Sequence, residues 1–123
     1  MSTEEIAKGL VDLCRQGKNV EAIAKYYSDD IVSVESTSSP AMPAEMKGID
    51  AVKGKNQWWF DNHTINSAEA NGPYVGESKF AVEFIYDVTA KASGKRMQMQ
   101  EMALYTVEGG KIVHEHFFYN PGA

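Results

Sequence analysis

The chain has 123 residues, a formal net charge of −5 and 24% charged residues, with no basic stripe. That length fits one domain, taken as 1–123, able to bury about two thirds of its unfolded surface, and the acidic balance makes nucleic acid and anionic membranes poor partners. A lone cysteine, Cys14, excludes an internal disulfide; no apolar run reaches the roughly 20 residues of a membrane span, and no charged-then-apolar leader pattern is present, so the expected setting is cytoplasmic.

Ser2 and Glu5 have capping-box spacing and predict a first helix closed by Gly17, with Ile6, Leu10, Leu13 and Cys14 at the helical period. Asn19 is placed to cap a second helix through Tyr27, with Val20, Ile23, Ala24 and Tyr27 on one stripe. Asp29-Asp30 then reads as a turn into a short strand, Ile31 to Glu35. Two prolines and four Ser/Thr residues make 36–48 irregular. It is either a surface connection or a flap, for which Met42 and Met46 would supply adaptable apolar contacts.

Asp50 is placed to cap a third helix, Ala51 to about Asn62, which carries Val52 and Trp58-Trp59-Phe60. Adjacent tryptophans cannot both face inward on a helix; Trp59, at helical spacing from Val52, is expected to line a cavity. Ile65 to Val75 reads as a weak strand running into an Asn71-Gly72-Pro73 turn. Phe80 to Lys91 is the clearest strand, with Phe80, Val82, Phe84, Tyr86 and Val88 on one face.

Ser93-Gly94 leads into a final hairpin whose turn is Gly109-Gly110, where both residues need positive φ. A two-residue turn sets Glu108 against Lys111, Val107 against Ile112, Tyr105 against His114, Ala103 against His116 and Glu101 against Phe118. In that register one mostly apolar face carries Met99, Glu101, Tyr105, His114 and His116. An acid and two imidazoles among apolar neighbours are the anomaly that points to chemistry.

Helices first and strands last give an α+β domain, with three helices packed in the concave face of a strongly curved, mostly antiparallel sheet. That order, with YYSDDIVSVE and GGKIVHEHFFY, resembles the SnoaL-like branch of the nuclear transport factor 2-like superfamily, whose fold is a cystatin-like cone. The resemblance implies a pocket at the wide end and a homodimer; the superfamily includes isomerases, polyketide cyclases, dehydratases and non-catalytic association domains. Its ketosteroid isomerases use an aspartate base with a tyrosine and a protonated aspartate as oxyanion donors. Those positions fall near Ser36, at Val11 and at Ala103 in this chain, and none is retained. Steroid isomerisation by that constellation is therefore not expected.

The expected function is a pocket protein for a hydrophobic carbonyl compound, with metal-free acid–base chemistry if it is an enzyme. Glu101 would move the proton, and His116 or His114 would tune it or donate to the developing oxyanion. Tyr27, Trp59, Phe84, Met99 and Tyr105 would contact the ligand, with Glu35 at the mouth. His114-x-His116 also has metal-ligand geometry, with Glu101 or His63 as third ligand, but no further ligand follows at suitable spacing; neither metal nor cofactor is expected. The alternative is a non-catalytic ligand-binding or dimerisation module of the same fold. Ile85, Met102, Leu104, Val113, Phe117 and Tyr119 form the expected outer apolar patch for a two-fold homodimer.

Overall fold

The structure, a computed structural model of the chain, describes residues 1–38 and 43–120. The elements are α1 (Thr3–Arg15), α2 (Asn19–Tyr26), β1 (Tyr27–Val34), β2 (Glu45–Lys47), α3 (Ile49–Asn62), β3 (His63–Val75), β4 (Lys79–Ala90), β5 (Arg96–Glu108) and β6 (Lys111–Phe118). The strands form one sheet in the order β2-β1-β6-β5-β4-β3. Only β1 and β6 run parallel. This is the α+β arrangement expected: three helices and a curved six-stranded sheet share one core, in which Ile6, Leu10 and Val11 of α1 join Phe80, Val82 and Ile112 of the sheet.

The Ser2–Glu5 capping box forms reciprocally: Glu5 N donates to Ser2 Oγ at 3.1 Å and Ser2 N donates to Glu5 Oε1 at 3.2 Å. The second helix differs from expectation. Lys18 stands at its N-cap with no side-chain bond, Asn19 is already helical, and the buried positions are Ala22, Ile23 and Tyr26, while Ala24 is exposed. Tyr26 docks where Gly9 has no side chain; a Cβ there would lie 1.9 Å from the Tyr26 hydroxyl. With Tyr26 turned onto α1, Tyr27 leaves the helix and starts β1, so Asp29-Asp30 lies within a strand and makes no turn.

Part of the expected loop is regular. Glu45–Lys47, with half-buried Met46, pairs with β1; Met42 falls outside the described residues. Gly48, at φ 93°, takes the N-cap of α3 in place of Asp50. Asn71-Gly72-Pro73 sits inside β3 as a register shift against β4 rather than ending the strand.

The decisive difference is in the last hairpin. Gly109 and Gly110 have φ 59° and 75°, Glu108 pairs with Lys111 and Val107 with Ile112, as expected. Beyond that the partners are Thr106 with His114, Tyr105 with Glu115, Leu104 with His116 and Ala103 with Phe117. Val113 is an extra residue in β6, a β-bulge, and one extra residue inverts every later side chain. His114 and His116 therefore turn to the outer face, while Glu115 and Phe117 turn toward the helices. The expected inward histidines, and Phe117 and Tyr119 as outer-face residues, are both corrected by this bulge.

Candidate active site

A cavity of about 270 Å³ lies between the helices and the inner face of the sheet. Its floor follows from strand register. Phe80, Tyr105, Glu115 and Ser33 form one row across β4, β5, β6 and β1, and Ala70, Phe84 and Glu101 form another across β3, β4 and β5. Ala103 separates Glu101 from Tyr105 along β5, and its small side chain leaves room between them.

Two acids on this floor have opposite surroundings. Glu115 is 2% exposed and accepts from two hydroxyls: Tyr27 on Oε1 in a short hydrogen bond, and Ser33 on Oε2 at 2.7 Å. Ser33 Oγ in turn accepts from the Lys55 ammonium at 2.6 Å, which also reaches Glu35 Oε1 at 3.1 Å. Because an ammonium only donates, the Ser33 proton points to Glu115 and the chain has one direction, Lys55 to Ser33 to Glu115. Burial raises the Glu115 carboxyl, opposed by the Tyr27 hydroxyl, the Lys55 charge and the Ser33 hydroxyl. Burial and the Glu115 charge push the Tyr27 hydroxyl well above its ordinary range.

Glu101 lines the same cavity with no hydrogen-bond or ion-pair partner among the described residues. Burial, then the Glu35 and Glu115 charges, push its carboxyl up to about 7, with Lys55 acting in the opposite direction. Among the described residues the wall thus holds three carboxyl groups against one ammonium.

The apolar wall comes from the rings. Trp59 stacks on His63 with centroids 4.6 Å apart and lies 5.4 Å from Tyr86. Trp58 also reaches the cavity while remaining 50% exposed at the mouth, so neither tryptophan enters the closed core. Tyr27, Glu35, Phe84, Met99 and Tyr105 line the cavity where they were expected. Cys14 lines it too, but burial pushes its thiol up to about 12, which leaves it an unreactive neutral group.

His114 and His116 lie outside the cavity, with His116 stacked on Phe118 at 4.2 Å. They cannot join Glu101 as catalytic partners or as metal ligands, because the sheet separates them from it. Among the described residues no group of three His, Cys, Asp or Glu side chains is placed to hold a metal.

Sequence reasoning missed Glu115, Lys55, Ser33 and Asn56. For Glu115 a signal existed: Phe117 and Tyr119 alternate with it, giving its face more apolar area than the histidine face. For Lys55 and Ser33 no local pattern marks them; they meet only because Ser33 pairs with Glu115 in the sheet and α3 crosses above. Asn56 lines the cavity beside Lys55, and its buried Oδ1 has no hydrogen-bond partner among the described residues.

The profile of the SnoaL-like domain matches residues 1–119. A crystal structure from Mesorhizobium loti, described as a candidate SnoaL-like polyketide cyclase, is 44% identical, with a TM-score of 0.91 over 97% of this chain and 100% of that one. A nuclear transport factor 2-like protein from Burkholderia thailandensis shares the fold at 15% identity, with a TM-score of 0.80 over 98% of this chain and 92% of that one. A candidate polyketide cyclase from Pseudomonas putida does so at 14%, with a TM-score of 0.75 over 99% and 94%. Comparison with curated proteins returns no match. A whole-length profile match and a relative of this identity, on a fold built as described, make the chain a member of the SnoaL-like domain family.

Proposed function

We propose that the protein is an acid–base enzyme of isomerase, cyclase or dehydratase type, acting on a small hydrophobic carbonyl compound. The observation that carries this is Glu101, a carboxyl group facing an aromatic cavity with no hydrogen-bond or ion-pair partner among the described residues. A group titrating near neutrality is suited to take a proton and return it. The volume of about 270 Å³ is just below the usual range of ligand pockets, roughly 300–1,000 Å³, and fits a one- or two-ring molecule. The Glu101 carboxyl, when protonated, can donate to the carbonyl oxygen of such a ligand, whereas Asn56 Oδ1 accepts and would take a hydroxyl or N–H elsewhere on it.

Deuterium exchange at the carbon next to the carbonyl of 2-tetralone, followed by NMR in D₂O, tests the reading. The wild-type protein should accelerate exchange, and Glu101→Gln should lose roughly 10²–10⁴-fold of that rate. Equal exchange with both proteins would sink it. The second reading, a non-catalytic binding module, is favoured by the apolar Val11 and Ala103 where related isomerases carry functional groups; both are core residues. Under it, 2-tetralone binds calorimetrically and no exchange follows.

We also propose a two-fold homodimer through the outer face, now made of Ile85, Met102, Leu104 and Phe118 beside the two histidines. Met102 is 38% and Phe118 47% exposed, which supports an apolar contact surface. Sedimentation of wild type and Met102→Glu would separate dimer from monomer. No helix among the described residues is long and apolar enough to cross a membrane; a cytoplasmic location is part of the proposal, and cell fractionation checks it.

A further inference from the structure

Removing a proton next to a carbonyl moves an electron pair onto the carbonyl oxygen, and something must stabilise that oxygen. The histidines expected to do so are on the far side of the sheet, and the hydroxyls on the wall are unequal substitutes. Tyr27 is committed to Glu115, and Tyr86, whose oxygen accepts from Asn19, is held neutral by burial and offers only an uncharged hydroxyl. Tyr105 offers a neutral hydroxyl deep in the floor, 2% exposed and stacked on Phe80 at 4.7 Å.

Lys55 differs from all of these. It is the one cation on the cavity wall among the described residues, and its side chain is 11% exposed. It projects from the middle of α3, where Val52 anchors the helix in the core and Trp59 lines the cavity one turn further on. An ammonium has three donors; Ser33 and Glu35 take two, and the third has no acceptor among the described residues. The Phe117 ring, 5.5 Å from Nζ, closes one side of the ammonium and limits its approach to water. The two fixed bonds hold Nζ in place, so no reorganisation is required when charge develops nearby.

We propose that Lys55 is a catalytic residue that donates its remaining N–H to the substrate oxygen, opposite the Glu101 carboxylate. This rests on the acid–base reading above and extends it. In the step, the Glu101 carboxylate takes the proton from the carbon next to the carbonyl. The C–H electron pair becomes the C=C bond, and the carbonyl π pair moves to oxygen, giving an enolate held by Lys55. Protonated Glu101 then returns the proton to a carbon of the enolate. Atoms and charge balance with no oxidant, reductant or co-reactant. The negative charge leaves Glu101 as it appears on the oxygen, so the wall never carries more net charge than at rest.

The test uses Glu101→Gln protein, which stands for the protonated acid, and 4-nitrophenol, whose phenolate mimics the enolate and is read by its visible absorbance. Nitrobenzene serves as the neutral probe of the same shape. Adding Lys55→Met should weaken phenolate binding roughly tenfold to a hundredfold, the range for a hydrogen bond to a charged group, while leaving nitrobenzene affinity unchanged. Lys55→Arg should retain part of the preference. A Lys55→Met, Glu35→Gln pair, which removes both members of the ion pair, keeps the assay interpretable if Lys55→Met alone unfolds. In an otherwise wild-type protein, Lys55→Met should lower kcat for 2-tetralone exchange with KM nearly constant. Equal losses for phenolate and nitrobenzene would reduce Lys55 to a structural role and overturn the proposal. So would a phenolate preference abolished by Tyr105→Phe and untouched by Lys55→Met. If neither probe binds Glu101→Gln protein, the pocket reading itself fails and the assignment falls with it, whereas phenolate binding indifferent to Lys55 leaves the pocket reading standing.

Discussion

Glu115 and Glu101 lie on the same inner face of one hairpin, yet they belong to different parts of the molecule's logic. Glu115 is sealed by Tyr27 and Ser33 and tied through Ser33 to Lys55; each of its oxygens has a donor. Glu101 has comparable apolar surroundings and no donor among the described residues, so its ionised form is penalised and its carboxyl rises to about 7. A buried acid with its bonds complete holds structure together. One left incomplete beside an open cavity supports the proposed ligand site, because burying a carboxyl without a donor costs the fold stability.

The two acids should therefore respond to truncation with opposite signs. Glu115→Ala leaves the Tyr27 and Ser33 hydroxyls without their acceptor, while the Lys55 charge keeps its Glu35 partner. Urea denaturation should show a loss of about 2–6 kcal/mol, from two buried hydroxyls left without an acceptor at about 1–3 kcal/mol each. A change below about 1 kcal/mol would remove the distinction.

Glu101→Gln should instead stabilise at alkaline pH. A folded carboxyl raised from 4.5 to about 7 binds its proton more tightly than the unfolded chain does. Wild-type stability is thus greater below the folded value and is lost as pH rises from about 4.5 through about 7. The gap corresponds to about 3 kcal/mol, at ~1.36 kcal/mol per pH unit. Near pH 8.5 the variant should gain up to that amount, and near pH 4, where both side chains are neutral, it should gain almost none. A pH-independent difference would mean that Glu101 does not titrate as described. Ser33→Ala follows in size, costing about 1–3 kcal/mol because it strips one bond from Glu115 and one from Lys55.

Local pattern carried most of the fold and half of the site. The period-two burial of β4 and β5 put Phe84, Met99, Glu101 and Tyr105 on the inner face, because no irregularity interrupts their pairing from Lys79–Thr106 to Thr89–Arg96. The Gly-Gly turn likewise fixed its two nearest pairs. The bulge at Val113 has no local mark, because Ile112 and Val113 are both β-branched; only the alternation of Glu115 with Phe117 and Tyr119 favours the face that turns inward. That single uncertainty exchanged His114 and His116 for Glu115 and Phe117. Lys55 and Ser33 were out of reach for another reason: their 22-residue separation closes only through tertiary packing of α3 over β1.

A finer test uses the charges around Glu101. Glu35 raises its carboxyl and Lys55 lowers it, so Glu35→Gln should bring the Glu101 titration down and Lys55→Met should take it up. NMR titration with ¹³C-labelled glutamate carboxyls would follow both. Shifts in the same direction would contradict the placement of these two groups on the cavity wall with Glu101.

The smallest effect is expected at the histidines, and its smallness is informative. With the bulge at Val113, His114→Gln and His116→Gln lie across the sheet from Glu101 and should leave 2-tetralone affinity and the pH profile of exchange unchanged. Stability should move by no more than about 0.5 kcal/mol, as for ordinary surface positions. Their effect, if any, belongs to the outer face and would be seen in sedimentation, where His116 stacks on the exposed Phe118 ring. A displaced pH profile in His116→Gln would instead place an imidazole beside Glu101. That would require β6 to pair with β5 without the extra residue, which would also turn Glu115 outward and dissolve the Tyr27–Glu115–Ser33 contacts. One substitution on the outer face thus tests the register on which the whole inner site is built.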